Sequence, residues 1–185
     1  MTGQVCVGIG ALVVRPSDGY VLLGRRKGSH GSGTWALPGG WLENNEGFVA
    51  CALRELEEEA GLSLADVLPD GFVVPAVANN VMDKGVHSVT VFVRLTLRSS
   101  AASDNVRICE PDKCHEWRWV DPAAWSLPQP MFPPLEFLIA SEYWRDEIAR
   151  THLSSLGAFA RDLPLLLAGA AVGAAAASAL AARRR

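Results

Sequence analysis

The acidic run that ends at Glu59 is the feature that most constrains this chain. Four of the twenty acidic residues lie within Glu55–Glu59, inside a proline-free segment rich in helix-forming residues. On a helix, Glu55, Glu58 and Glu59 share one face, because residues three and four positions apart are neighbours. Like charges at these spacings destabilise a helix by about 0.2–0.5 kcal/mol per pair, so something must offset the repulsion.

Two interpretations of this run follow from its charge alone. The simpler one is a solvated surface helix, on which acidic runs are common. The other is a site for Mg²⁺ or Mn²⁺, since hard cations prefer carboxylate oxygens together with water and phosphate. In both cases Gly47–Ala60 is predicted to be a helix that ends at Gly61, with Phe48, Ala52 and Leu56 on its buried side.

The spacing of residues before the run favours the metal site. Gly40 is followed after five residues by Glu46 and after seven more by Arg54, and residues 55–62 read Glu-Leu-Glu-Glu-Glu-Ala-Gly-Leu. This pattern resembles the signature of the Nudix hydrolase superfamily, Gly-x5-Glu-x7-Arg-Glu-U-x-Glu-Glu-x-Gly-U, in which U is aliphatic. All nine fixed positions are filled across 23 residues, which makes the match highly specific.

The resemblance implies an α/β Nudix fold, in which a mixed β-sheet lies between helices, and a site built on the acidic helix. Glu55, Glu58 and Glu59 are the implied metal ligands and catalytic residues, with the Gly39 carbonyl completing the ligand set. Arg54 is also implied to be catalytic, and it lies four residues before Glu58, where it can hold the carboxylates in place.

The motif does not identify the residue that accepts the proton of the attacking water. A carboxylate of the helix is one candidate, and Glu110, in the segment Glu-Pro-Asp-Lys at residues 110–113, is the other. The resemblance does not choose between them.

The similarity extends over residues 5–145 and is closest to eukaryotic MutT-type enzymes of the nucleotide pool. It is carried by four segments: Val21–Ser29, Leu37–Gly40, Cys109–Val120 and Leu127–Leu135. The implied reaction is hydrolysis of nucleoside triphosphates, including oxidised ones such as 8-oxo-dGTP, to a nucleoside monophosphate. Dihydroneopterin triphosphate, prenyl diphosphates and a non-catalytic nucleotide-sensing role are the alternatives.

Substrate contacts are also implied by position. Arg26 would meet the phosphates, Gly40 would lie beside the substrate, and Phe132 and Leu135 would wall the pocket for the base. Two positions depart from the relatives: Trp41 replaces a frequent histidine, and Ala36 replaces a glutamine that contacts the base in some members. The choice of base is therefore not specified.

The charge and the cysteine content limit the partners and the cellular compartment that we expect for this chain. The formal net charge is −3, without a basic cluster in the body of the chain, so we expect no nucleic-acid partner and no capped RNA substrate. Four irregularly spaced cysteines fit reduced thiols, and Met1–Gln4 lacks a basic leader region, which together predict a cytoplasmic protein. A homodimer is compatible with the family resemblance.

Periodicity and turn signals predict a mixed α/β order of elements rather than strict alternation. The predicted strands are Val5–Val14, Tyr20–Gly24, Phe72–Val81, Val86–Leu97 and Glu116–Val120. Ser99–Asn105 is predicted to be a loop, Asp121-Pro122 to begin a short helix, and Leu135–His152 to form a longer one.

The composition changes at the C-terminal end, so we divide the chain into a Nudix domain at residues 1–160 and a tail at residues 163–185. Residues 163–182 carry no charge and include ten alanines, and they are followed by three arginines. Their length matches a membrane span, but alanine contributes little insertion energy. A membrane tether and a disordered extension are both left open.

Overall fold

One mixed sheet organises the residues that the computed structural model describes, which are 4–28, 30–81, 87–124 and 127–147. The elements in chain order are β1 (Cys6–Val14), β2 (Val21–Arg26), β3 (Trp35–Ala36), α1 (Phe48–Ala60), β4 (Phe72–Val81), β5 (His87–Thr96), a 3₁₀ helix (Ser100–Asn105), β6 (Cys114–Val120) and α2 (Pro133–Ala140).

The sheet is centred on β1, which runs parallel to β5 along its whole length, from Cys6 opposite Ser88 to Val14 opposite Thr96. The strand order is β3-β2-β1-β5-β4, with β6 also paired to β2. The hairpin-like start predicted for the first two strands is present only at the turn, where Val14 pairs with Val21. Beyond that pair β2 instead follows β6 in antiparallel register.

Alternation along the strands separates two cores, because successive side chains point to opposite faces of a sheet. On one face Ile9 and Val93 pack with Leu56 of α1. On the other face Leu12 and Phe92 belong to a cluster with Leu135 and Leu138 of α2 and with Tyr143 and Trp144. The predicted arrangement of a mixed sheet between helices is therefore confirmed.

Three details of the predicted elements were wrong. The predicted loop at Ser99–Asn105 contains the 3₁₀ helix. The last predicted helix begins earlier, at Pro133, and is interrupted at Ser141, whose hydroxyl donates to the Leu138 carbonyl, before helix resumes at residues 142–147. Asp121 begins a turn rather than a helix within the described residues, since its side chain accepts the Ala123 N–H.

All described residues belong to one unit of the chain, Met1–Ile148. The domain boundary predicted near residue 160 and the alanine-rich tail lie outside the described residues. Among the described helices, none has the length and apolar character required to cross a bilayer.

Candidate active site

Helix α1 positions the acidic residues as its sequence predicted. It begins after Gly47 and ends at Gly61, which adopts a left-handed conformation (φ 69°) and donates its N–H to the Glu57 carbonyl. Cys51, Ala52, Leu56 and Ala60 are buried against the sheet, which turns the carboxylates away from the core. Phe48 was expected on the buried side but is 39% exposed, so the buried face of the helix begins at Cys51.

Arg54 gathers three carboxylates around its guanidinium. Its Nε lies 2.9 Å from Glu46 Oε1, and its Nη1 lies 2.8 Å from Glu55 Oε1 and 3.3 Å from Glu58 Oε2. The hydrogen bond from Arg54 lowers the pKa of Glu46 to about 2. Arg54 Nη2 also donates to the Trp41 carbonyl, which ties the helix to the preceding loop.

Two glycines before the helix allow the carboxylates to approach the sheet. Gly39 donates its N–H to Glu59 Oε2 at 2.9 Å. A Cβ on Gly39 would overlap the Ile9 carbonyl, and a Cβ on Gly40 would overlap the carboxylate of Glu55. The absence of a side chain at Gly40 therefore leaves room for the Glu55 carboxylate.

Two carboxylates of this cluster have raised pKa values. Burial, reinforced by the charge of Glu55, raises the pKa of Glu59 to about 7. Burial and the charge of Glu58 likewise raise the pKa of Glu55 above its ordinary value, although Arg54 opposes this. Glu110 is close enough for its charge to act on Glu59, and it accepts a 2.7 Å hydrogen bond from Lys113. The loop glutamate predicted from sequence therefore faces the same cluster.

The carboxylate oxygens of this cluster are ligands of the kind that a hard divalent cation prefers. Such a cation would offset the burial and the mutual repulsion that raise the pKa values of Glu55 and Glu59. In the described part of the chain, no three acidic, histidine or cysteine side chains are yet arranged to hold an ion. Arg54 engages two of the carboxylates, those of Glu55 and Glu58.

A cavity of about 230 Å³ adjoins this cluster. The four residues predicted to bind substrate all line it: Arg26, Gly40, Phe132 and Leu135. Ala36 and Trp41, the two positions that depart from the relatives, line it as well. The residues assigned to catalysis and to substrate thus lie in adjoining parts of one site.

Arg26 lies where the acidic cluster meets the cavity. Its guanidinium stacks 4.5 Å from the centre of the Phe132 ring, and its Nε donates to the His30 carbonyl at 2.9 Å. Burial lowers the pKa of Arg26, and the charge of Glu59 opposes that shift. The Arg26 side chain therefore packs against the cavity wall at Phe132 and interacts electrostatically with Glu59.

Sequence analysis missed the floor of the cavity. Gly8 and Gly10 of β1 and Ser88 and Thr90 of β5 line it. Two sequence signals point to them: glycines inside a strand often mark close approach of another group, and Ser88 and Thr90 are polar at alternate positions next to the apolar run Val91–Val93.

Comparison with known proteins identifies a Nudix domain in this chain. A model of the NUDIX domain matches residues 5–138. An RNA pyrophosphohydrolase from Novosphingobium aromaticivorans is 28% identical over 137 residues, covering 69% of this chain and 82% of the relative. An RNA pyrophosphohydrolase from Dinoroseobacter shibae is 30% identical over 129 residues, covering 64% of this chain and 77% of the relative.

A solved structure agrees with this result. The MutT NUDIX hydrolase from Burkholderia pseudomallei has a TM-score of 0.61 and 28% identity, covering 75% of this chain and 100% of that protein. These relatives are bacterial and do not support the eukaryotic branch inferred from the motifs. Nudix hydrolases generally use a divalent metal ion. The match over most of the described residues and the signature on α1 show that this chain belongs to the Nudix hydrolase family.

Proposed function

We propose that this Nudix hydrolase cleaves nucleoside triphosphates to a nucleoside monophosphate and pyrophosphate, with Mg²⁺ or Mn²⁺ as cofactor. The observation that carries the proposal is the position of Arg26, between the carboxylates of α1 and the cavity. A triphosphate that entered the cavity with its base would lay its phosphates along Arg26 toward Glu59. The cavity, at about 230 Å³, is smaller than the roughly 300–1,000 Å³ of typical ligand pockets, so in this proposal it takes the base while the phosphates lie outside it.

In this mechanism Glu55, Glu58 and Glu59, with the Gly39 carbonyl, would hold the cation. When bound, the cation polarises the phosphate oxygens and offsets the charge that develops on them. Arg54 fixes Glu55 and Glu58 on the helix, and Gly40 provides the space that Glu55 occupies.

The chain's own residues then complete the proton balance. A helix carboxylate or Glu110 accepts the proton of the attacking water as its oxygen bonds to phosphorus. The bond from that phosphorus, the α-phosphorus, to the oxygen that bridges it to the β-phosphorus breaks, and pyrophosphate leaves with the electron pair. Arg26 binds the phosphates during this step through charge-assisted hydrogen bonds.

A second candidate substrate is the 5′-triphosphate end of an RNA. The names of the two curated relatives favour it, although the absence of a basic cluster led us to expect no nucleic-acid partner. Trp41 lines the cavity and is 52% exposed, so it could stack on a second nucleotide outside the cavity.

A substrate panel tests the proposal. The panel contains dGTP, 8-oxo-dGTP, dihydroneopterin triphosphate, ADP-ribose, geranyl diphosphate and a 5′-triphosphate oligoribonucleotide, each with Mg²⁺, with Mn²⁺ and with EDTA. We expect cation-dependent release of pyrophosphate from a free nucleoside triphosphate. Faster cleavage of the RNA than of the matching free nucleotide would favour the second candidate. Inertness toward all triphosphates would contradict both candidates.

A further inference from the structure

The floor of the cavity is built by one face of two neighbouring strands. In the parallel register of β1 and β5, Gly8 lies opposite Thr90 and Gly10 lies opposite Phe92. Alternate residues of a strand share a face, so Thr90 and Ser88 point to the side on which Phe92 packs. Phe92 belongs to the cluster that includes Leu135 of α2, and both residues line the cavity.

The missing side chain of Gly8 leaves a space with mixed polar and aromatic borders. A Cβ placed there would lie 3.6 Å from Thr90 Oγ1, 3.7 Å from Trp41 Cζ3 and 3.8 Å from the Gly40 carbonyl oxygen. A hydroxyl, an indole ring and a carbonyl oxygen therefore surround the same point. These groups suit a flat ring that carries hydrogen-bonding atoms on its edge.

The hydroxyls of this floor have capacity for a ligand. Asn80 Nδ2 donates to Thr90 Oγ1 at 3.1 Å and to the Ala78 carbonyl at 3.2 Å. Because the Thr90 oxygen accepts this bond, its proton can be donated elsewhere. Ser88, which is 1% exposed, has a hydroxyl without a hydrogen-bond partner among the described residues. A buried hydroxyl in that state favours a ligand that supplies a partner.

We propose that Thr90, with Ser88 beside it, determines specificity by bonding to the edge of a heteroaromatic base held next to Trp41. This inference rests on the proposed function and narrows it to substrates that carry such a base. Asn80 is a positioning residue, since it touches the ligand only through Thr90. An apolar prenyl chain in the same place would leave the Thr90 hydroxyl proton and the Ser88 hydroxyl without partners, which disfavours prenyl diphosphates.

Equilibrium binding tests the inference without requiring turnover. The probes are dGMP, 8-oxo-dGMP, dAMP, dCMP and dTMP, compared with geranyl monophosphate, all in the presence of Mg²⁺. Thr90→Val keeps the side-chain shape and removes the hydroxyl, whereas Thr90→Ser keeps the hydroxyl. Ser88→Ala removes a hydroxyl that has no described protein partner, and Ser99→Ala at an exposed site is its control.

We expect at least one base-bearing probe to bind wild type more tightly than geranyl monophosphate does. The affinity of the protein for that probe should fall about tenfold in Thr90→Val and about threefold in Ser88→Ala. In the controls, Thr90→Ser and Ser99→Ala, it should stay within about twofold of wild type. Melting temperatures identify any loss of folding, which is least expected for Ser88→Ala. Unchanged affinity in both hydroxyl-removing variants would overturn the inference, as would tighter geranyl monophosphate binding or no binding of any base-bearing probe.

The inference and the proposed activity fail separately. Base-dependent binding through Thr90 in a protein that cleaves no triphosphate would remove the activity and keep the specificity site. Cleavage of a triphosphate by Thr90→Val and Ser88→Ala at the wild-type kcat/KM would keep the activity and remove the specificity site.

Discussion

The acidic face of α1 and the neighbouring cavity are built in opposite ways. The acidic face comes from one continuous stretch, Gly39–Gly61, in which helix geometry alone sets the spacing of the carboxylates. The cavity is assembled from β1, the end of β2, residues 36–41, β5 and the start of α2, most of which are far apart in sequence. The first region is rich in charge, and the second is mostly apolar with a few hydroxyls.

This difference separates reaction type from substrate choice. Carboxylates arranged for a cation fit cleavage of a phosphate anhydride, whatever group the phosphates carry. The identity of that group depends on the walls and floor of the cavity. Variants of the acidic face should therefore reduce turnover of every substrate, and variants of the cavity should change the ranking of substrates.

The largest effect is expected for Glu58→Gln. It removes one proposed metal ligand, and a bound cation contributes several kcal/mol, so kcat should fall roughly 100- to 1000-fold for all substrates. The control is Glu57→Gln, an exposed neighbour on the same helix at an unconstrained position of the signature. Steady-state kinetics with Mg²⁺ provide the measurement. Near-wild-type turnover of Glu58→Gln would remove this residue from the site.

Sequence predicted the acidic face well because its contacts are local. The bond from Arg54 to Glu58 follows from positions four apart on a helix. The floor at Thr90 was not predicted, because its place beside Gly8 depends on a parallel pairing between strands about eighty residues apart. That β1 pairs along its whole length with β5, and with β2 only at Val14, is likewise a property of the whole sheet.

Gly40→Ala should give the next largest effect. Its Cβ would overlap the Glu55 carboxylate and displace it, and a misplacement of about 1 Å can cost roughly 100-fold in rate. Gly47→Ala is the matched control, since a Cβ there meets nothing within 4 Å. A wild-type rate in Gly40→Ala would show that the position of Glu55 does not limit turnover.

Arg26→Met should have a smaller effect that depends on the phosphates. It keeps an apolar stem against Phe132 and loses the charge, so kcat/KM should fall about tenfold for triphosphates. Arg25→Met tests the neighbouring residue, whose guanidinium lies 4.0 Å from Glu116 and is half exposed. Equal losses in the two variants would argue against a specific role for Arg26 at the join of the two regions.

The smallest effect concerns the stability of the metal-free protein. Burial raises the pKa of Glu59 from 4.5 to about 7, so the folded chain holds this proton more tightly than the unfolded chain. Its contribution to stability is complete below the unfolded pKa and is lost as pH rises through the folded value. In EDTA, Glu59→Gln should therefore gain in melting temperature relative to wild type between about pH 5 and pH 8.

The expected gain is several degrees, at roughly 2–4 °C per kcal/mol. Scanning fluorimetry at matched ionic strength gives the difference between the two proteins at each pH. A difference that stays constant with pH would mean that Glu59 is not held in a buried, repelling environment.

Binding of Mn²⁺, followed by electron paramagnetic resonance, tests whether the acidic face holds a cation at all. Wild type and Glu57→Gln should bind Mn²⁺ saturably and with equal affinity. Glu58→Gln and Glu59→Gln should each weaken that binding at least about tenfold while the proteins remain folded. Equal Mn²⁺ affinity in all four proteins would contradict the assignment of the carboxylates of α1 as the metal site.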